Sequence, residues 1–188
     1  MTSERPRHNF TFVLGPEQLL TQELIESILE ACDDALVGSR DRLALVEFDR
    51  EGPTFAQAVV GALRQLESVE GVRVVRVEPD ELVGLTAIAA RLGRSVESVR
   101  LLAAGKRGPG GFPAPAARVD AKTRLWEWSA VARWWHDELG GDAARPLAES
   151  ADFLASLNDA LDLRARAGRL SEGERQTLAA IVGEAAIL

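Results

Sequence analysis

The sequence predicts an α+β protein, and three observations carry the prediction. Short runs that alternate apolar and polar residues, such as "NFTFVL" and "VRVVRVEP", stand between longer runs with apolar residues at helical spacing. Glycine and proline mark the changes from one pattern to the other. Charge then divides the chain. The 188 residues carry a net −7, but the span from Thr86 to Trp135 holds nine basic and three acidic residues, a net +6. The remainder holds 13 basic and 26 acidic residues, a net −13.

Composition sets outer bounds. Hydrophobic residues make up 46% and charged residues 27%, as in an ordinary soluble chain with a core. No apolar run approaches the roughly 18 residues that span a membrane. The start, "MTSERPRHNF", lacks the apolar stretch of a secretory signal. A cytoplasmic, nucleoid-associated protein is the expectation. Cys32 is the single cysteine, so no internal disulfide forms, and its place after an amphipathic run marks it as a small core residue.

Residues 1–80 read as one unit. "NFTFVL" is a strand, ended by Gly15-Pro16. "PEQLLTQELIESILEAC" is a helix with Leu20, Leu24, Ile28 and Cys32 on one stripe and Pro16 near its first turn. "DDALVGSRDRLALVEFDR" is a hairpin, two β-like pieces flanking "GSRD". "GPTFAQAVVGALRQLESVEG" is a second helix, with Phe55, Val59, Ala62 and Leu66 aligned and Gly71 as its stop. "VRVVRVEP" closes the unit as a strand. The order β-α-β-β-α-β is the ferredoxin-like arrangement, with both helices on one face of a four-stranded antiparallel sheet. Without the strand at 34–37 it reduces to a smaller βαβαβ unit. The free face or edge of such a sheet suits a ligand or a second copy of the chain.

Residues 81–140 carry the basic segment. "TAIAARLGRSVESVRLLAAG" has the order of a helix-turn-helix. Thr86 is placed as the cap of a first helix whose inward residues are Ile88, Ala89 and Leu92. Gly93 makes the turn and Ser95 caps the second helix. Around Val99, the residues Val96, Leu102 and Ala103 face inward, and Glu97, Ser98, Arg100, Leu101 and Ala104 face outward. Such an outward face suits a DNA major groove: Arg reaches guanine or phosphate, Ser either base edges or phosphate, Leu a thymine methyl, and Glu97 a cytosine amino group. Glu97 equally repels phosphate. Gly105 ends the helix. Lys106 and Arg107 follow on "KRGPGG", whose glycines and prolines let backbone approach another surface. "FPAP" and "KTRLWEW" form two extended arms of a β-wing, and Ser129 caps a third helix. Val131 and either Trp134 or Trp135 turn inward. Trp126 is read as core and Trp128 as packed outside.

"LTAIAARLGRSVESVR", "GFPAP" and "RLWEWSAVARWW" together resemble the MerR/excisionase type of winged helix-turn-helix, over residues 82–137. The resemblance implies binding of double-stranded DNA, with Ser95 to Ala104 as the recognition helix and Pro113 to Trp126 as the wing. The "KRGPGG" insertion is longer than that family's usual link. The motif also stands mid-chain, where MerR regulators carry it first. The DNA-contacting set is expected to be Thr86, Arg94, Ser95, Glu97, Ser98, Arg100, Leu101, Lys106, Arg107, Arg118, Lys122 and Arg124.

Residues 141–188 read as a helical hairpin. Leu147, Ala151, Leu154, Leu157 (or Asn158) and Leu161 lie on one side of its first helix, which ends at Gly168. Ser171 and Glu174 open the second as a capping box, followed by the stripe Leu178, Ile181, Val182 and Ala185. The stripe is available for a homodimer or for intrachain packing.

Three functions follow. The first is a sequence-specific DNA-binding regulator, acting as a homodimer. The second is an excisionase-like or nucleoid-type protein that bends or bridges DNA. The third is an antitoxin or adaptor whose acidic segments bind a protein. An enzyme is not expected, nor a cofactor or metal. Asp33-Asp34 reads as a solvated turn, His8 as part of a mobile tail and His136 as a neighbour of phosphate. "GKRGPGG" lacks the order of a phosphate-binding loop.

Overall fold

A computed structural model describes residues 6–15, 18–118 and 123–182. Four strands, β1 (Arg7–Leu14), β2 (Ala35–Arg40), β3 (Leu43–Glu51) and β4 (Val74–Glu78), form one sheet. Its order is β2-β3-β1-β4, and every neighbouring pair is antiparallel. Two helices, α1 (Gln22–Ala31) and α2 (Phe55–Leu66), alternate with the strands. The protein is thus a mixed α+β chain around a four-stranded antiparallel sheet.

Alternation sorts the faces of β1. Phe10, Phe12 and Leu14 point to the core, where Phe10 stacks on Phe48 of β3 at 5.5 Å and Phe12 meets it edge-on at 5.6 Å. Ile28 of α1 and Val59, Ala62 and Leu66 of α2 fill the same cluster, together with the fully buried Cys32. The helices therefore cover one face of the sheet. The opposite face carries an Arg7–Asp49 ion pair at 2.7 Å, an Arg76–Glu78 pair at 3.0 Å and an exposed Leu36.

Several local expectations shift. Helix α1 begins at Gln22, not near Pro16, because the Thr21 hydroxyl accepts from the Leu24 N–H at 3.2 Å; Pro16 itself lies outside the described residues. The hairpin turn is Asp41–Arg42 rather than "GSRD": strand pairing runs on to Arg40 opposite Leu43. Asp41 and Arg42 take φ of 50° and 68°, as a two-residue turn matched to sheet twist requires. Helix α2 is capped by Thr54 and stops at Leu66, ahead of Gly71, which at φ 80° shapes the turn into β4. Asp34 is no solvated turn: Arg50 grips it with two bonds of 2.6 Å and holds its carboxyl below the usual range. His8 belongs to β1, its Nε2 3.1 Å from the Gly52 carbonyl.

A second cluster follows. Strands β5 (Leu82–Val83) and β6 (Trp126–Glu127) pair with each other, and α3 (Leu85–Arg91), α4 (Val96–Ala103) and α5 (Trp128–Trp135) pack around them. Val83, Ile88, Val99, Trp126, Trp128 and Val131 are its buried centre.

The C-terminal segment does not stand apart as a hairpin. Helix α6 (Arg145–Ala167) is 23 residues long and serves both clusters. Ala148 and Ala151 enter the second, and Leu154 and Leu161 enter the first. Asn158 lies between them and bonds the outer edge of β4: its Oδ1 accepts from the Val77 N–H at 2.8 Å and its Nδ2 donates to the Val77 carbonyl at 2.9 Å. Arg164 donates to the Val74 carbonyl at 2.7 Å, and Glu67 accepts from the Val74 N–H at 2.9 Å. Helix α7 (Glu172–Val182) opens with the expected capping box, Ser171 N to Glu174 Oε2 at 2.8 Å. Its apolar stripe is uncovered: Leu178 is half-buried and Ile181 is 72% exposed. Ala185 and the side chain of Val182 lie outside the description. No helix among the described residues is long and apolar enough to cross a membrane.

Candidate nucleic-acid interface

Gly84, not Thr86, precedes α3, and it offers no side-chain cap. Thr86 lies one position into the helix and is exposed. Gly93 at φ 61° turns the chain, with Arg94 N–H bonded to the Ala89 carbonyl at 2.8 Å. Ser95 caps α4 as expected, its hydroxyl 3.2 Å from the Ser98 N–H. Val99 and Leu102 are buried, and Ala103 packs against the cluster from its rim. Val96 is 44% exposed, against the expectation that it faces inward. It occupies the first turn of α4, where the helix overhangs a groove. Leu101 and Ser98 are half-buried instead of fully outward; Glu97, Arg100 and Ala104 are exposed.

The basic side chains divide into two sets. Arg91 turns back into the protein, bonding the Asp80 carbonyl at 2.9 Å and lying 5.0 Å over Trp128; burial lowers its pKa. Arg133 pairs with Asp152 at 2.6 Å. Arg100 is clasped by Glu97 at 2.8 and 2.7 Å on the helix surface, so its charge is locally cancelled. Arg94 lies 5.2 Å over the Trp135 ring. Lys106, Arg107, Arg118 and Arg124 are exposed, and like Arg94 they have no acidic partner among the described residues. Lys122 lies outside the described residues, as does the tip at 119–122.

The "KRGPGG" loop folds onto its own cluster rather than offering backbone to another surface. The Trp134 indole N–H donates to the Gly110 carbonyl at 2.9 Å. A Cβ on Gly108, at φ 80°, would sit 2.7 Å from Leu102, so only glycine lets the loop pass. Phe112 packs on Trp134 at 4.9 Å, and the Trp126 N–H donates to the Pro113 carbonyl at 3.1 Å. The arms of the expected wing meet where Ala116 N–H reaches the Leu125 carbonyl at 2.8 Å and Leu125 N–H the Ala117 carbonyl at 3.0 Å. Beyond that point the returning arm pairs with β5.

Trp128 is 3% exposed, so it is core and not outer packing. It sits at the start of α5, tucked under the Trp128 N–H to Glu81 carbonyl bond of 2.7 Å. Ser129 is not the cap. The carboxylate of Glu81 accepts from the Ser129 N–H at 2.9 Å and also from its hydroxyl. Sequence reading missed Glu81, 48 residues before its partner. His136 is bonded to Asp137 at 2.7 Å.

Between α3, α4 and the returning arm runs a groove of about 510 Å³, lined among others by Thr86, Val96, Arg100, Ala104, Thr123 and Arg124. Its walls bring three of the expected DNA contacts together from segments up to 38 positions apart, Thr86 to Arg124. No group of three or more His, Cys, Asp or Glu is placed to hold a metal among the described residues. Comparison with protein-family models, curated proteins and solved structures finds no match to the chain.

Proposed function

We propose that the chain is a sequence-specific double-stranded DNA-binding protein, a transcriptional regulator built on a MerR/excisionase-type winged helix-turn-helix at 82–137 and acting without catalysis. Helix α4 enters the major groove, and the hairpin from Pro113 to Trp126 lies on the backbone or in the minor groove. Residues 1–80 form a ferredoxin-like unit that serves dimerisation or ligand sensing. The carrying observation is the groove beside α4, edged by Arg100 and Arg124, on a segment of net +6 in a chain of net −7. Phosphate is drawn to that segment and repelled elsewhere.

The Glu97–Arg100 clasp favours a second reading. If Arg100 stays engaged, the remaining exposed cations contact backbone rather than bases, as in an architectural protein that bends or bridges DNA.

The test is selection from a genomic fragment pool at two salt concentrations, with a Lys106→Ala/Arg107→Ala/Arg124→Ala variant alongside. Enrichment of a few fragments, lost in the variant, is the expected result. Uniform binding that dissolves in salt would support the architectural reading. No binding at either salt would overturn both and direct the search to a protein partner of the acidic segments.

A further inference from the structure

The sheet has two outer strands, and the chain treats them differently. Side chains of Asn158, Arg164 and Glu67 occupy the edge of β4. The outer row of β2 peptide groups from Leu36 to Arg40 has no partner among the described residues. An open edge that is not blunted invites another strand.

Three features of β2 point to what that strand is. Gly38 is the first. Its φ is not positive and a Cβ there would meet nothing within 4 Å, so nothing in the chain's own fold requires glycine. Glycine weakens a strand interior, and its presence there often marks the close approach of another backbone. Leu36 is the second, 65% exposed on the open face two residues away. Charge is the third. At one end of the β2–β3 hairpin Arg40 and Arg42 are exposed beside Asp41; at the other Asp33 and Glu47 are exposed, while Asp34 is held by Arg50 and Asp49 by Arg7.

We propose that β2 is a homodimer interface, in which β2 of a second copy pairs antiparallel across a two-fold axis at Val37 to make one eight-stranded sheet. That register sets Leu36 of each copy opposite Gly38 of the other, a large side chain against an empty position. It also sets Arg40 opposite position 34, whose carboxylate Arg50 already holds, and so beside the exposed Asp33 and Glu47, which are the carboxylates left to meet it. Antiparallel pairing of identical strands places the basic end of each on the acidic end of the other, so the charges match twice. The helix layers stay on the same side of the joined sheet. The proposal stands independently of the DNA reading.

Sedimentation of the full chain over a concentration series tests it, with Leu36→Glu, Arg40→Glu and Ile181→Glu alongside. Leu36, Arg40 and Ile181 are all exposed, and circular dichroism and the melting temperature check that each variant folds. The expected result is a wild-type dimer whose dissociation constant rises at least about tenfold in both β2 variants, because Leu36→Glu loses the apolar side chain that fills the position opposite Gly38 and Arg40→Glu turns attraction to Asp33 and Glu47 into repulsion, each twice across the axis. Ile181→Glu is expected to leave it unchanged. A wild-type chain that stays monomeric up to its solubility limit would overturn the proposal. So would a dimer that both β2 variants leave intact, or one that only Ile181→Glu disrupts.

Discussion

The Asn158 amide reaches both polar groups of one residue, Val77, across a gap of 81 positions. Replacing it by Leu leaves a part-buried N–H and a part-buried carbonyl without partners. The expected cost is about 2–4 kcal/mol in urea unfolding, and Asn158→Asp, which keeps only the acceptor, should lose about half of that. Nearby, burial pushes the Glu67 carboxyl up, but the Arg164 bonds of 2.8 and 2.6 Å and the Val74 N–H outweigh it, so its pKa is lowered. A depressed carboxylate stabilises the fold above its unfolded pKa and loses that contribution as pH falls through the folded value. The wild type is therefore expected to lose stability as pH falls below the ordinary glutamate value of 4.5. In Arg164→Met the gap to wild type should be widest at neutral pH and close on acidification, as chemical denaturation between those limits will show. None of this was legible in the sequence. Asn158 read only as an alternative to Leu157 on a stripe, because its partner is backbone from the far side of the chain.

Helix α4 shows how far an element can be read from its own residues. Ser95 was placed as its cap, and Ser95→Ala is expected to cost about 1 kcal/mol of stability. Val99 and Leu102 were placed inside, and they are. Val96 was misplaced because the helical wheel assigns a direction but knows nothing of the groove beneath the first turn. Thr86 was misplaced because α3 is preceded by a glycine, which closes the first helical bond with its carbonyl but has no side chain to cap with. The Glu97–Arg100 clasp uses ordinary i,i+3 spacing, yet both residues were counted separately as DNA contacts. On the proposed function, Glu97→Gln frees Arg100 for phosphate. The slope of log affinity against log salt should then steepen by about one, measured by fluorescence anisotropy on duplex DNA. An unchanged slope would place Arg100 away from the backbone.

At the scale of the molecule, α6 joins what the sequence divides. A boundary at 140/141 followed the change in composition, and the apolar stripe showed that α6 buries a face. Only the fold shows that the stripe is shared between two clusters. Trp126, Trp128, Trp134 and Trp135 are the only tryptophans and lie on the second cluster's side, so their fluorescence reports that side alone. Fluorescence and far-ultraviolet circular dichroism are expected to melt together, since neither cluster can lose α6 without the other. Leu154→Ala should destabilise both signals by about 2–5 kcal/mol. Two separated transitions would mean that the helix does not couple them. The side chains along β4 have a further effect on growth. A sheet with two bare margins can add copies without limit and become a fibre. Here one margin is already occupied from within, so on the proposed pairing growth through the other would end at a pair, and the molecule would carry its own chain terminator.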